Sequence, residues 1–491
     1  MSRSARDPVL VAEGSVCQRL EDPREALEPI ALMREALARA AEEAGSRALL
    51  ERADAIYVPR GFWSYPDPGR LLAEQLGAAR ARSELFEIGI LQTSLFARAG
   101  RAIAAGEAEI VLIAGGEARH RSLRAQIEGI ELAETAQRAD SAPDRVHRPH
   151  AEVLPRFEAE RGLQLPVNQY AVIENALRAA AGQALAEHRR EVDALWAATS
   201  RAAAANPTAW TREAVAPEAL APGPRNRMLA FPYTKLHTSQ WNVDQAAGLV
   251  LCSAAAAERM GIPESRRIHL HAATESNHML PLSQRARLSR CPGFRHAGLR
   301  AAELAGVPLG EIEHRELYSC FPSAVRMQLR ELGLGGERPV SWTGGMTFHG
   351  GPLNNYVLQC AARMGALLRA DPGSRALLTA VSGILTKQGA SVWSTRPPER
   401  GFQFADLSAE TERATPRVAV CDAGRGEARI ASYTVLYRDA EPATAVALCD
   451  LPSGERAIAT SDDRALAREL TRAEGCGRSA RLQPGGRFEL H

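Results

Sequence analysis

Strand-like and helix-like segments alternate along residues 8–118 and again from residue 267, which predicts an α/β fold with a largely parallel sheet covered on both sides. A third observation sets the C-terminal end apart. Residues 415–491 carry short β-rich runs divided by polar turns, the pattern of a small antiparallel β unit. At 491 residues the chain exceeds one ordinary core, so roughly two to four domains are expected.

The elements follow in order. Pro8 to Glu13 reads as a strand, and residues 24–44 space their apolar side chains by three and four, the signature of an amphipathic helix ending before Gly45. Ala53 to Val58 is a strand, 66–79 a helix opened by Pro66 and Asp67, Glu84 to Ile90 a third strand and 93–105 an Ala-rich helix. Glu109 to Ala114 is a buried strand that stops at Gly115-Gly116. Residues 119–240 break the rhythm, with helices near 168–182 and 184–204. From Arg267 the pattern restarts: strand 267–273, helix 296–305, strand 314–318, helix 323–332, loop 343–356, helix 355–369 and strand 376–381. A polar linker spans 398–415, followed by the runs RVAVCDA, GEARIASYTVLYR, ATAVALCDL and ERAIATS and one short helix at 463–473.

Composition excludes several function classes. Hydrophobic content of 45% with 24% charged residues suits a soluble globular protein, and a net charge of +2 implies no polyanion partner, so nucleic acid is not expected. Eight scattered cysteines without a CxxC pair argue for reduced cytoplasmic thiols and against a zinc or other metal site. The N-terminal residues hold no apolar run of signal-peptide length, and nothing approaches the roughly 20 apolar residues that span a bilayer. Lys235 and Lys387 are the only lysines among 60 basic residues. Where Arg is the default, a Lys is either a compact ammonium that a guanidinium cannot replace or a chance survivor.

Residues 343–356, TGGMTFHGGPLNNY, describe a backbone that turns tightly and comes close to something. The stretch resembles the active-site loop of the thiolase superfamily that ends in Gly-His-Pro-Leu-Gly. Pro352 and Leu353 match, the family's His falls on Gly351, and a histidine stands two residues earlier at His349. AIAAGEAEIVLIAGGEA (102–118) is similar to the thiolase segment after the nucleophile helix, and NVDQAAGLVLCS (242–253) to the strand that closes the first half. The resemblance covers about residues 8–400. It implies a duplicated thiolase fold of two similar halves packed face to face. The N-terminal half would be 1–118 with 241–265, the inserted loop domain 119–240 and the C-terminal half 266–400. The additional domain, 415–491, resembles an OB-like barrel found at the C-terminus of thiolase-like proteins.

The same resemblance sets out the chemistry to look for. A thiolase needs a nucleophilic Cys, a second Cys as general acid/base, and oxyanion donors. Counting back from Gly106, the nucleophile position falls on Gly89, and no cysteine lies between Cys17 and Cys252. Thr93 and Ser94 lie nearby as helix caps or substitute hydroxyls. The family's Asn-Glu-Ala-Phe, or His-Asp-Cys-Phe in sterol-carrier-type members, reads Tyr318-Ser319-Cys320-Phe321. Cys320 is either a thiol activated by a helix N-terminus or a small buried apolar residue. Val381 or Ser382 takes the place of the second Cys, and Lys387 enters that loop.

The expected catalytic groups are therefore Cys320 and His349, with His349 otherwise capping local backbone. The expected substrate-binding set is Tyr233 (against adenine), Lys235 (near phosphate), Tyr318, Gly350, Gly351, Asn354 and Lys387. His237 and His278 read as structural. An acetyl-CoA acetyltransferase-like acyltransferase of lipid metabolism with substituted catalytic residues is one implied function. A non-catalytic protein that binds CoA or acyl-CoA, or docks a partner, is the other. No cofactor is implied beyond CoA or acyl-CoA as substrate or ligand, and the partner would be a second copy or another thiolase-family subunit. In the C-terminal unit, Tyr433 and Tyr437 are the only aromatics of the β runs, too few for a base-stacking platform.

Overall fold

The structure is a computed structural model describing residues 3–422 and 424–490. Residues 1, 2, 423 and 491, at the ends of the outer units and within the RVAVCDA run, lie outside the described residues.

The duplication is visible in strand order. In the first half, Arg82–Phe86, Ala55–Pro59, Ile110–Ala118, Asp244–Ser253 and Pro8–Gln18 lie side by side in that sequence. The first three run parallel and the last two pairings are antiparallel. The second half repeats the scheme with His314–Glu316, Arg375–Ser382, Lys387–Ser394 and Ile268–Ser276, one parallel pairing followed by two antiparallel ones. Among the described residues it has no counterpart of the strand Arg82–Phe86. A short ladder, Val9 with His269 and Leu10 with Ile268, joins the halves into one sheet.

Two helices occupy equivalent places between the half-sheets, Gln92–Ala105 and Tyr356–Ala370. Their apolar residues (Leu95, Phe96 and Ile103; Tyr356, Leu358 and Met364) share one buried cluster. Being covered on both sides, these helices can be apolar nearly all round. Their N-termini meet, since Gln92 Oε1 accepts from the Val357 amide at 2.7 Å.

Several expectations need correction. The first helix is Pro29–Glu43 and the helix expected at 296–305 is Pro292–Leu304; in both, Pro occupies the first turn, where its missing N–H costs nothing. The strand expected at 84–90 stops at Phe86. Lys387, expected in a loop that runs to Gly389, opens the strand Lys387–Ser394, buried along its length and so without alternation. The expected linker 398–415 contains the strand Gln403–Asp406, which pairs in parallel with Ile268–Ser276, and the helix Ser408–Ala414. RVAVCDA forms two isolated bridges, Arg417 with Arg285 and Val420 with Arg456, instead of a strand.

The C-terminal unit closes on itself. Gly426–Arg438 pairs with Glu441–Asp450, that with Arg456–Ser461, that in parallel with Arg487–Leu490, that with Ser479–Gln483, and the last returns to Gly426–Arg438. The helix Arg464–Leu470 lies between the third and fourth strands in sequence. Five strands in this circuit are consistent with the expected OB-like barrel.

The insert is stitched to this barrel. Its strands Met228–Ala230 and Tyr233–Thr234 extend the barrel sheet through Leu436 with Ala230. Asn175, on the helix Pro166–Ala180, donates to the carbonyls of Phe231 and Tyr433 at 3.2 and 2.9 Å. Arg178 pairs with Glu474 at 2.5 Å. Arg456 donates to the carbonyl of Arg285 in the second half. Among the described residues no helix is long and apolar enough to cross a membrane.

Candidate functional site

Loops that follow the parallel strands converge on the N-termini of the two central helices. Gly89 precedes Gln92–Ala105, Cys320 follows His314–Glu316, the glycine loop precedes Tyr356–Ala370, and Ser382 ends Arg375–Ser382. Gly89 is in contact with Ser382, one of the two residues given for the second cysteine position: Ser382 Oγ donates to the Gly89 carbonyl at 3.2 Å. Lys387 Nζ donates to the same carbonyl.

Gly89 is held at φ +101°, a region that L side chains rarely adopt, and a Cβ there would lie 3.1 Å from Pro149 Cγ and 3.3 Å from Val153 Cγ2. Pro149 and Val153 belong to the insert. The corner is thus filled from one side by a lysine and covered from the other by apolar side chains.

Cys320 is 7% exposed, one residue before the cap of the helix Pro322–Leu332. Burial pushes its thiol up to about 12, and hydrogen bonding from Tyr170 offsets only part of this. Here desolvation of a thiolate outweighs the pull of a few amide dipoles. The Ser239 hydroxyl donates to the Cys320 carbonyl at 2.8 Å, a backbone role.

His349 closes a single wide turn, Gly345–His349, and is buried. Its Nδ1 lies 3.2 Å from the Gly350 carbonyl, Nε2 has no hydrogen-bond partner among the described residues, and burial lowers the imidazole to about 4. Its carbonyl accepts from the Trp210 amide and from Gln245 Nε2, both at 2.8 Å. The ring stands edge-on to Tyr356 at 5.9 Å. Neutral at pH 7 and with burial disfavouring the imidazolium, it can accept a proton only as a weak base.

The glycines of this loop are used for close packing. Gly350 adopts φ +109° and a Cβ there would run into Gln245 Oε1. The Gly351 amide donates to the Gln240 carbonyl at 2.8 Å, which removes it as an oxyanion donor. Asn354 turns the other way and donates to the Arg60 carbonyl at 3.3 Å. Tyr318 is half-buried, edge-on to Tyr356 at 5.9 Å, with burial raising its phenol.

Behind them lies a carboxylate hub that sequence reading passed over. Glu316 accepts from Ser341 Oγ at 2.5 Å, from the Trp342 and Thr343 amides at 2.8 and 2.9 Å, and from Tyr356 OH at 3.2 Å, which in turn meets Ser319 Oγ at 3.0 Å. This hub fixes the turn before the glycine loop. The only signal for it was an acid at the end of a strand, which sequence alone does not separate from a surface residue.

The two residues expected at a nucleotide pocket part company. Tyr233 is fully buried, its hydroxyl donating to Glu174 at 2.6 Å and lying 2.8 Å from Ser323 Oγ, so no ring face is left for adenine. Lys235 is exposed. Six residues on, Trp241 is 50% exposed and lies 6.0 Å from Phe62, itself 48% exposed, with Arg119 over both rings. His237 pairs with Asp193 at 2.9 Å inside the insert, and burial lowers the imidazole of His278.

Comparison with known proteins fits this geography. Residues 406–487 match the family model of the thiolase-like protein type 1 additional C-terminal domain. Over 99% of both chains, the structure is similar to a monomeric SCP2-thiolase-like protein type 1 from Mycobacterium smegmatis, with 27% identity and a TM-score of 0.83. It is also similar, over 80% of this chain and 100% of the other, to an Ltp2-ChsH2(DUF35) aldolase, with 19% identity and a TM-score of 0.59. A human mitochondrial 3-ketoacyl-CoA thiolase matches over 80% of this chain and 99% of the other, with 16% identity and a TM-score of 0.57. No curated protein sequence matches the chain. Strand order, the likeness to solved thiolase-like structures and the matching C-terminal domain agree: the chain is a thiolase-like protein with the type 1 additional C-terminal domain.

Proposed function

We propose that this protein binds an acyl-CoA thioester without forming a covalent acyl-enzyme, the second of the two functions implied by the sequence. The observation that carries the reading is the corner at Gly89, where no cysteine stands, Lys387 takes the carbonyl, and Pro149 and Val153 crowd any side chain. The raised thiol of Cys320 and the burial that disfavours a His349 imidazolium support it, since a covalent route needs a thiolate and a base able to hold the proton. The glycine loop remains as a close-packed wall against which a thioester would lie.

For the nucleotide end, we read Lys235 as the phosphate contact and the half-exposed Trp241–Phe62 pair, in place of Tyr233, as the surface for adenine. The name of the human thiolase carries CoA, and the kinship of fold supports a CoA ester over other ligands. We place the protein in the cytoplasm, which its free cysteines suit, in lipid metabolism, and we read the C-terminal barrel as OB-like.

We also read the chain as a monomer, like the Mycobacterium smegmatis protein. Its own strand Arg145–His147 covers the edge of Arg82–Phe86, and a three-residue strand ending near Pro149 offers little edge for a second copy. Titration calorimetry with acetyl-CoA and octanoyl-CoA tests the proposal. Saturable binding weakened about tenfold or more by Trp241→Ala supports it, whereas no heat of binding with either ester overturns it.

A further inference from the structure

A cleft of about 410 Å³ opens beside Gly89, on the outer face of the helix Gln92–Ala105. Its size is that of a small-molecule site. Three elements make its walls: the helix contributes Ser94 and Arg101, the insert contributes Arg148, and the end of Ile268–Ser276 contributes Glu275. Lys387 forms part of the floor, so the same ammonium that holds the Gly89 carbonyl faces this space.

The charges are unbalanced. Arg98 and His147, also on the wall, are both spent on Glu84, at 2.6 and 2.7 Å. Arg148 has no ion-pair or hydrogen-bond partner among the described residues, and Arg101 rests on the Phe404 ring, 5.0 Å from its centroid, without a carboxylate. Against these two guanidinium groups and Lys387 stands one acid on the wall, Glu275, which already accepts from Ser94 Oγ and from Asn277 Nδ2. Between the cations run apolar surfaces from Phe86, Ile90, Ala97 and Phe404.

We propose that this cleft binds an amphipathic carboxylate, a short-chain fatty acid or similar organic acid, with its carboxylate between Arg101, Arg148 and Lys387 and its chain against Phe86, Ile90 and Phe404. A planar two-oxygen anion matches the guanidinium fork, and the apolar strip gives a hydrocarbon tail what inorganic phosphate would not use. Glu275 on the same wall favours a singly charged ligand over a phosphate dianion. Burial lowers the Lys387 ammonium and raises the Glu275 carboxyl, so an added anion relieves a cation that is poorly solvated as it stands. This site is separate from the proposed acyl-CoA surface at Lys235 and Trp241, and it does not depend on that reading.

Calorimetry of the full chain with octanoate, octanamide and inorganic phosphate tests it. Octanoate should bind, octanamide at least about tenfold more weakly, and phosphate more weakly than octanoate. The double variant Arg101→Glu/Arg148→Glu, at exposed positions where folding is not at stake, should lower octanoate affinity about tenfold or more and leave octanoyl-CoA binding unchanged. No octanoate binding, equal binding of acid and amide, phosphate binding tighter than octanoate, or an unaffected double variant would each overturn the assignment.

Discussion

Lys387 donates its ammonium to the carbonyl oxygen of Gly89, and Ser382 donates to the same atom at 3.2 Å. By the thiolase resemblance, Gly89 stands at the nucleophile position and Ser382 is one of the two residues, with Val381, at the second cysteine position. Under the proposed non-covalent function, this corner is occupied by groups that pack and hydrogen-bond in place of a reactive thiol. Function resides in such sites and not in the fold that presents them.

Restoring the nucleophile alone should fail. Gly89→Cys puts a side chain at φ +101°, with its Cβ 3.1 Å from Pro149. Strain and overpacking together should cost on the order of 2–4 kcal/mol. A urea unfolding midpoint well below that of the parent, and no acetyl adduct on the new thiol, are the expected results. A stable, acetylated variant would show that the corner is open.

The state of His349 predicts a pH dependence. Its folded imidazole lies near 4, below the unfolded value of about 6.5. The unfolded chain therefore binds the proton first, so stability is full above pH ~6.5 and falls as pH drops through 4. Between pH 7 and 4.5, His349→Gln should lose less stability than the parent, by on the order of 2 kcal/mol, measured as urea midpoints. Identical pH profiles would mean that His349 is protonated or solvated in the folded protein.

Acid should loosen the rim of the cleft through Glu84. Burial raises this carboxyl, but hydrogen bonds from His147 and Arg98 and their charges outweigh burial and hold it at about 2. Its contribution is complete above the ordinary carboxylate value and is lost as pH falls from about 4.5 towards 2. Glu84→Gln should be less stable than the parent at pH 7 by on the order of 2 kcal/mol, discounted for the partly exposed partners, with the gap closing at pH 2.5. A gap that persists at pH 2.5 would assign the loss to packing.

The sequence displayed the fold where elements bury one face or end at a cap. The alternation to Ala118, the helix ended by Gly106 and the glycine loop were all readable from spacing. Lys387–Ser394 was not, because a strand covered on both faces has no period, and its Lys-Gln-Gly opening reads as loop. The last two strands, Ser479–Gln483 and Arg487–Leu490, are short and become strands through barrel closure, a non-local event. At the site, absence was legible: no cysteine could stand near position 89. Burial was not, and burial is what decides Cys320, His349 and Tyr233. Lys387 drew attention by its rarity, but its partner, a backbone carbonyl some 300 residues away in sequence, leaves no mark in a single chain.

Intact-mass spectrometry after incubation with acetyl-CoA, beside a Cys320→Ala control, tests the central claim most directly. Binding without covalent transfer predicts an unmodified mass for both proteins. An acetyl adduct on the parent that the control lacks would contradict it and establish Cys320 as a relocated nucleophile.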